Sequence, residues 1–144
     1  MGESSGPISD GLRAATLLEE ACREAPPNAA MRTEVVRGLA LDIGRQLAAL
    51  SGLADVALDV LAEAAICCAD LANLAACNAP DLPPDATPRA IEAALLAAGA
   101  VEVLGPMVEA GSAELEAEHA ENLLRDARSA RWRAEFATRL AASD

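Results

Sequence analysis

Aromatic side chains are almost missing from this 144-residue chain, which has one Trp, one Phe and no Tyr. A β-sheet core without aromatics is hard to fill, so a sandwich or barrel is disfavoured. Lysine is absent, and all eleven cationic side chains are Arg. Against them stand 23 Asp and Glu, for a formal net charge of −12. Nucleic acids and anionic membranes reward clustered positive charge, so this balance excludes them as expected main partners. Histidine occurs once, at His119, which leaves acid–base chemistry with few players.

Cysteine is also scarce, with four residues at Cys22, Cys67, Cys68 and Cys77. They form no C-x-x-C pair, so no structural zinc site is expected and the metal set is empty. Small buried hydrophobes in a reducing compartment are the expectation for all four. The first eleven residues have neither a basic start nor an apolar run, so no signal peptide is expected. The longest wholly apolar stretch, Ala93 to Val101, is far short of a membrane span of ~20 residues. These features predict a cytoplasmic protein without a membrane partner. Phosphate-binding glycine loops, nucleophile elbows and zincin motifs do not occur.

What the chain has is alanine, a quarter of its residues, with Leu and Val. That mixture suits helices in close contact. The fold class predicted is all-α, an antiparallel bundle of about five helices. Residues 1–9 read as a Gly/Ser-rich arm, and 10–144 as one bundle domain. The helices are predicted over about 10–24, 28–50, 53–76, 88–104 and 112–141. Pro26-Pro27 ends the first, with Asn28 capping the second. The second helix carries Val35, Val36, Leu39, Ile43, Leu47 and Leu50 as its apolar line, with Arg32, Arg37 and Arg45 on the wet side. The third helix has the line Leu53, Val56, Ala57, Val60, Leu61, Ala64, Cys68, Leu71 and Ala75. Thr87-Pro88 reads as an N-cap followed by proline at the first helical position. The fourth helix is apolar nearly all round, which places it centrally or in an oligomer interface. Gly105-Pro106 is expected to kink or interrupt it, and Ser112 to cap the last helix. That helix runs from acidic (Glu114, Glu116, Glu118, Glu121) to basic (Arg125, Arg128, Arg131, Arg133, Arg139), matching its dipole.

Few residues are candidates for chemistry. Glu102 shares a line with Ile91, Leu95 and Ala98. Desolvated there, its carboxyl would titrate higher; turned to water or an Arg, it is an ordinary surface group. His119 lies between Leu115 and Leu123 on the apolar line of the last helix, as a hydrogen-bonded core-edge histidine or a catalytic one. Trp132 and Phe136 are i,i+4 neighbours flanked by Arg128 and Arg139, making either a bundle-end cluster or a partner surface. Asp55, Asp59, Glu63 and Asp70 read as a solvated face.

One stretch has a familiar order. Ala64-Ala-Ile-Cys-Cys-Ala-Asp-Leu-Ala72 leads to Asn78 and then to Asp85-Ala-Thr. Ile91-Glu-Ala-Ala-Leu-Leu-Ala-Ala-Gly-Ala100 and Val101-Glu-Val-Leu104 follow, before the long charged helix. From Glu63 to about Leu140 this resembles the C-terminal part of the cyclodeaminase/cyclohydrolase family. The resemblance implies an all-helical dimer, action on formimino- or methenyl-tetrahydrofolate, and roles for Asn78 and Asp85. The Pro-Gly-Gly-Gly segment that the family associates with its active site has no counterpart here.

Three functional expectations follow. The leading one is a self-associating bundle that resembles the family but lacks its activity, its glycine segment being absent, and acts as an interaction or accessory module, as a homodimer or with a protein partner. The interface candidates are Leu95, Leu96, Val103, Trp132 and Phe136. The second is a divergent cyclohydrolase or cyclodeaminase using tetrahydrofolate, with Asp85, Glu102 and His119 as catalytic candidates and Asn78 as a ligand-binding one. The third is a carrier holding an apolar ligand between Ala- and Gly-lined helices. Only the second calls for a cofactor.

Overall fold

The computed structural model describes residues 6–24, 31–52 and 57–143. They form five long helices: α1 (Pro7–Arg23), α2 (Met31–Ser51), α3 (Leu58–Asn78), α4 (Thr87–Gly111) and α5 (Ala117–Ala142). Short 3₁₀ turns, Ala79–Asp81 and Ser112–Glu114, follow α3 and α4. The all-α bundle predicted from composition is the fold. The expected cap Asn28, the Pro26-Pro27 stop and the positions Leu53, Val56 and Asp55 lie outside the described residues.

The helices alternate in direction. Arg32 at the start of α2 bonds Asn78 at the end of α3, and Gln46 late in α2 meets Cys67 in the middle of α3, so these two run antiparallel. Arg89 near the start of α4 pairs with Glu24 just after α1, which sets those two antiparallel as well. His119 with Asp59, and Arg133 with Asp70, align α5 parallel to α3. α3, α4 and α5 pack against one another, α1 lies against α4, and α2 leans mainly on α1.

Alanine fills the centre. On α5 the buried positions are Leu123, Ala127, Ala130, Ala134, Ala137 and Ala141, a row repeating every three or four residues. Ala130, Ala134, Ala137 and Ala141 share one core with Ala93, Ala94, Ala97 and Ala98 of α4 and Ala64, Ala65, Ala72 and Ala75 of α3, while Leu123 and Ala127 pack with Ala62 and Val108 in a smaller one. Side chains this small set the helix axes at the short end of the usual ~8–10 Å. Gly11 shows how tight the α1–α2–α3 junction is. A Cβ there would sit 2.7 Å from the Cys68 Sγ and 3.1 Å from a Leu47 methyl.

Several helix ends differ from the sequence reading. Pro7 opens α1, three residues inside the expected arm, because proline's missing N–H costs nothing at the first helical position. Thr87 does not cap α4. Its hydroxyl faces the carbonyls of Ala79, Leu82 and Pro83 at 3.1–3.3 Å, so it donates back into the connecting loop. Pro106 lies inside α4, which continues to Gly111. It stands on the exposed side, where water can satisfy the carbonyl it leaves without a donor. Ser112 bonds the Glu109 carbonyl at 3.0 Å and starts the 3₁₀ turn, so α5 begins at Ala117 with Glu116 as its N-cap residue.

Two segments, Leu58–Asp81 and Thr87–Glu114, are long and apolar enough by length and composition to cross a membrane. Within their most apolar windows 56% and 50% is buried in the bundle, and core helices pass the same test.

Candidate functional site

Asn78 and Asp85 lie at one end of the bundle and His119 at the other. At one end, Asn78 closes α3 with its side chain buried. Its amide nitrogen donates to the Leu74 carbonyl at 2.8 Å, and its oxygen accepts from Arg32 Nε at 3.1 Å. Arg32 also faces Asp81 at 3.5 Å. Asn78 thus ties α2 to the α3–α4 turn. Asp85 is exposed in that turn, two residues before α4.

His119 is at the other end. Its Nε2 lies 2.7 Å from Asp59 Oδ1, which joins the start of α5 to the start of α3. Both side chains are exposed, so the expected place of His119 on the buried line is corrected. The row before Leu123 fails because α5 begins only at Ala117, so Leu115 lies before the helix and its spacing to His119 is not helical. α3 separates the two ends by about 30 Å. Glu102 sits between them on the outward side of α4 and is exposed, so its carboxylate is not desolvated. Asp85, Glu102 and His119 therefore do not converge. Asn78 and Asp85 share one end without touching a common group among the described contacts.

One buried charge escaped the sequence reading. Glu19 of α1 is only 5% exposed. Arg37 Nε donates to it at 2.8 Å, and Arg23 NH2 reaches both oxygens at 2.7 and 2.8 Å. The Arg37 hydrogen bond holds the Glu19 carboxyl below its ordinary range, against the opposing effect of burial. Arg37, expected on the wet side, is thus the bridge between α2 and α1. Glu19 follows Ile8, Gly11 and Ala15 on the buried side of α1, with Arg23 one turn on. That placement was the available signal, masked by its exposed neighbour Glu20.

A groove of about 270 Å³ opens beside this pair, between α1 and α2. Leu12, Ala15, Thr16, Leu41, Gly44 and Arg45 are among its lining residues, and it is open to solvent rather than enclosed. Among the described residues no group of three or more His, Cys, Asp or Glu is placed to hold a metal ion. The thiols are free; Cys22, Cys67 and Cys68 are buried, while Cys77 is exposed, contrary to the expectation for all four. Burial pushes Cys22 and Cys67 up to about 11 and Cys68 to about 12. Buried thiols of that kind are poor nucleophiles at neutral pH.

The interface candidates divide. Leu96 is half-buried and packs against the core. Leu95 and Val103 stand on the outer face of α4 with Met107, and all three are exposed. Trp132 is 68% exposed and Phe136 45%, their rings stacked with centroids 6.4 Å apart. On α2, Val35 and Leu39 are also exposed, although the periodicity placed them on the apolar line. α2 leans mainly on α1, and among its described side chains only Val36, Ala40, Leu47 and Leu50 are buried.

The described residues form an all-α five-helix bundle in which several polar pairs, among them Glu19–Arg37 and His119–Asp59, join neighbouring helices. In comparisons with known proteins, no family model and no curated protein matches the chain.

Proposed function

We propose that this chain is a self-associating helical module and that the outer face of α4 is its contact surface. The observation that carries this reading is a row of apolar residues one turn apart. Leu95, Gly99, Val103 and Met107 recur at every fourth position, with Pro106 and Ala110 beside them, and all are exposed. The row is about 18 Å long. Scattered surface Leu and Val are ordinary, but a continuous stripe along one helix marks a contact site. Gly99 and Ala110 leave room for a facing helix to approach. Glu92 and Glu102 are exposed at the margins of the stripe, where charges of an interface rim belong. A second copy is the partner, since a two-fold contact lays the same stripe against itself.

Sedimentation velocity in about 1 M salt tests this, where surface charge pairs are screened within ~3 Å. The wild type should be a dimer at micromolar concentration. Val103→Glu should be a monomer that keeps its helical circular dichroism and loses no more stability than the missing association supplies, because Val103 is 49% exposed and outside the core. Leu96→Glu should instead lower the melting temperature. A monomeric wild type, or a Val103→Glu dimer as tight as wild type, would overturn the reading.

A further inference from the structure

α5 carries a second, differently built stripe on the side away from its alanine row. Glu121, Arg125, Arg128, Trp132, Glu135 and Arg139 are spaced alternately by four and three residues, and every one is exposed. That spacing keeps six side chains on one face over about 27 Å of helix. The order of these residues is not arbitrary about the midpoint, Ala130. Glu121 and Arg139 stand nine residues to either side of it, Arg125 and Glu135 five, and Arg128 and Trp132 two. At each distance the two members are complementary: acid with base, base with acid, and cation with the indole ring. Phe136 and Leu124 match in the same way, six residues from the centre.

We propose that α5 pairs antiparallel with α5 of a second copy, about a two-fold axis at Ala130. Glu121 then faces Arg139 of the other copy, Arg125 faces Glu135, and Arg128 lies over the Trp132 ring. Two-fold symmetry makes each contact twice. A parallel pairing in register would set every charge against its own copy, so the antiparallel arrangement alone is self-complementary. The intrachain competitors are weak: Arg139 reaches Glu135 only at 4.0 Å, and Arg125 reaches Asp126 at 3.9 Å. Arg128 makes no ion pair among the described residues. The stacked Trp132 and Phe136 give the stripe an apolar centre that charge alone would lack. This surface is separate from the α4 face, and its contacts respond to salt in the opposite sense. With both in use, the chain assembles beyond a dimer.

The test uses the Val103→Glu chain, which removes the α4 contact. Sedimentation in about 0.1 M salt should show a reversible dimer that dissociates in about 1 M salt. Adding Glu121→Arg or Arg139→Glu should weaken that dimer about tenfold or more, since each reversal makes two like-charge contacts. Mixing the two reversed chains should restore association, because every reversed charge then meets its complement. Helical circular dichroism should stay constant throughout. Association unaffected by either reversal, or no recovery on mixing, would overturn the proposal. Failure of the α4 reading would show separately, as a Val103→Glu dimer persisting in about 1 M salt.

Discussion

Arg37 of α2 and Glu19 of α1 meet at 2.8 Å, and it is the carboxylate that is buried while the guanidinium reaches partly into water. The pair is the main polar bridge between a helix in the core and one that leans on its edge. Glu19 gains Arg23 as a second donor from its own helix. A buried carboxylate held by two guanidinium groups is costly to disturb: losing a guanidinium takes a donor from a desolvated charge, and neutralising the carboxylate gives up both charge-assisted bonds.

Glu19→Gln should therefore destabilise the fold by about 1–3 kcal/mol in urea titrations at pH 7. The pH dependence has a definite sign. The carboxyl titrates lower in the folded chain than in the unfolded one, so its stabilisation is present above the unfolded value of about 4.3 and is lost as pH falls through the folded value. The gap between wild type and Glu19→Gln should close below about pH 4. A constant gap down to pH 3 would contradict this account.

The thiols should sort by burial. Cys77 should react with a maleimide in the native protein, while Cys22, Cys67 and Cys68 wait for denaturant. Mass spectrometry of the labelled chain reads the count directly. Their raised titration also has a consequence for stability. Above about pH 8.5 the unfolded chain loses thiol protons that the folded chain keeps, so stability should fall between pH 9 and 11.

Two glycines should respond oppositely to the same methyl group. Gly38 is exposed within α2 with nothing within 4 Å of an added Cβ, so Gly38→Ala should stabilise by about 0.5–1 kcal/mol. Gly11→Ala places its methyl 2.7 Å from Cys68 Sγ, a short side chain on a packed helix, and should destabilise by about 1–3 kcal/mol. Thermal melts of the two variants decide it, and a melting temperature raised by both would be inconsistent with the tight junction.

The helical periods of α3, α4 and α5 were legible because alanine and leucine recur there with nothing competing. Helix ends were less so. Thr87 and Ser112 have the side chains of caps, yet each hydroxyl donates to a carbonyl instead, a choice decided by the loop it closes. Val35 and Leu39 show the limit of periodicity: a line of apolar residues says which face is greasy, but not whether a neighbour arrives to cover it. Of the site residues, Glu102 and His119 stand out as rare chemistry on an apolar background, and Asp85 only through the family resemblance. Their distances apart depend on which helix ends adjoin, a three-dimensional matter. Glu19 and Arg37 lie eighteen positions apart on separate helices, so only the packing of α1 on α2 could reveal their bond.

The alanine row on α5 also shapes how this sequence can drift. A leucine core can trade bulk between neighbours, one side chain shrinking as another grows. Where both sides of a contact are already a single methyl, no neighbour has volume to give up. Ala130, Ala134 and Ala137 are fully enclosed, so each added carbon must push two backbones apart. The same residues cost almost nothing to immobilise, since alanine has no rotamers to lose on folding. The bundle is thus cheap in entropy and rigid in composition, and variation is channelled to its outward faces.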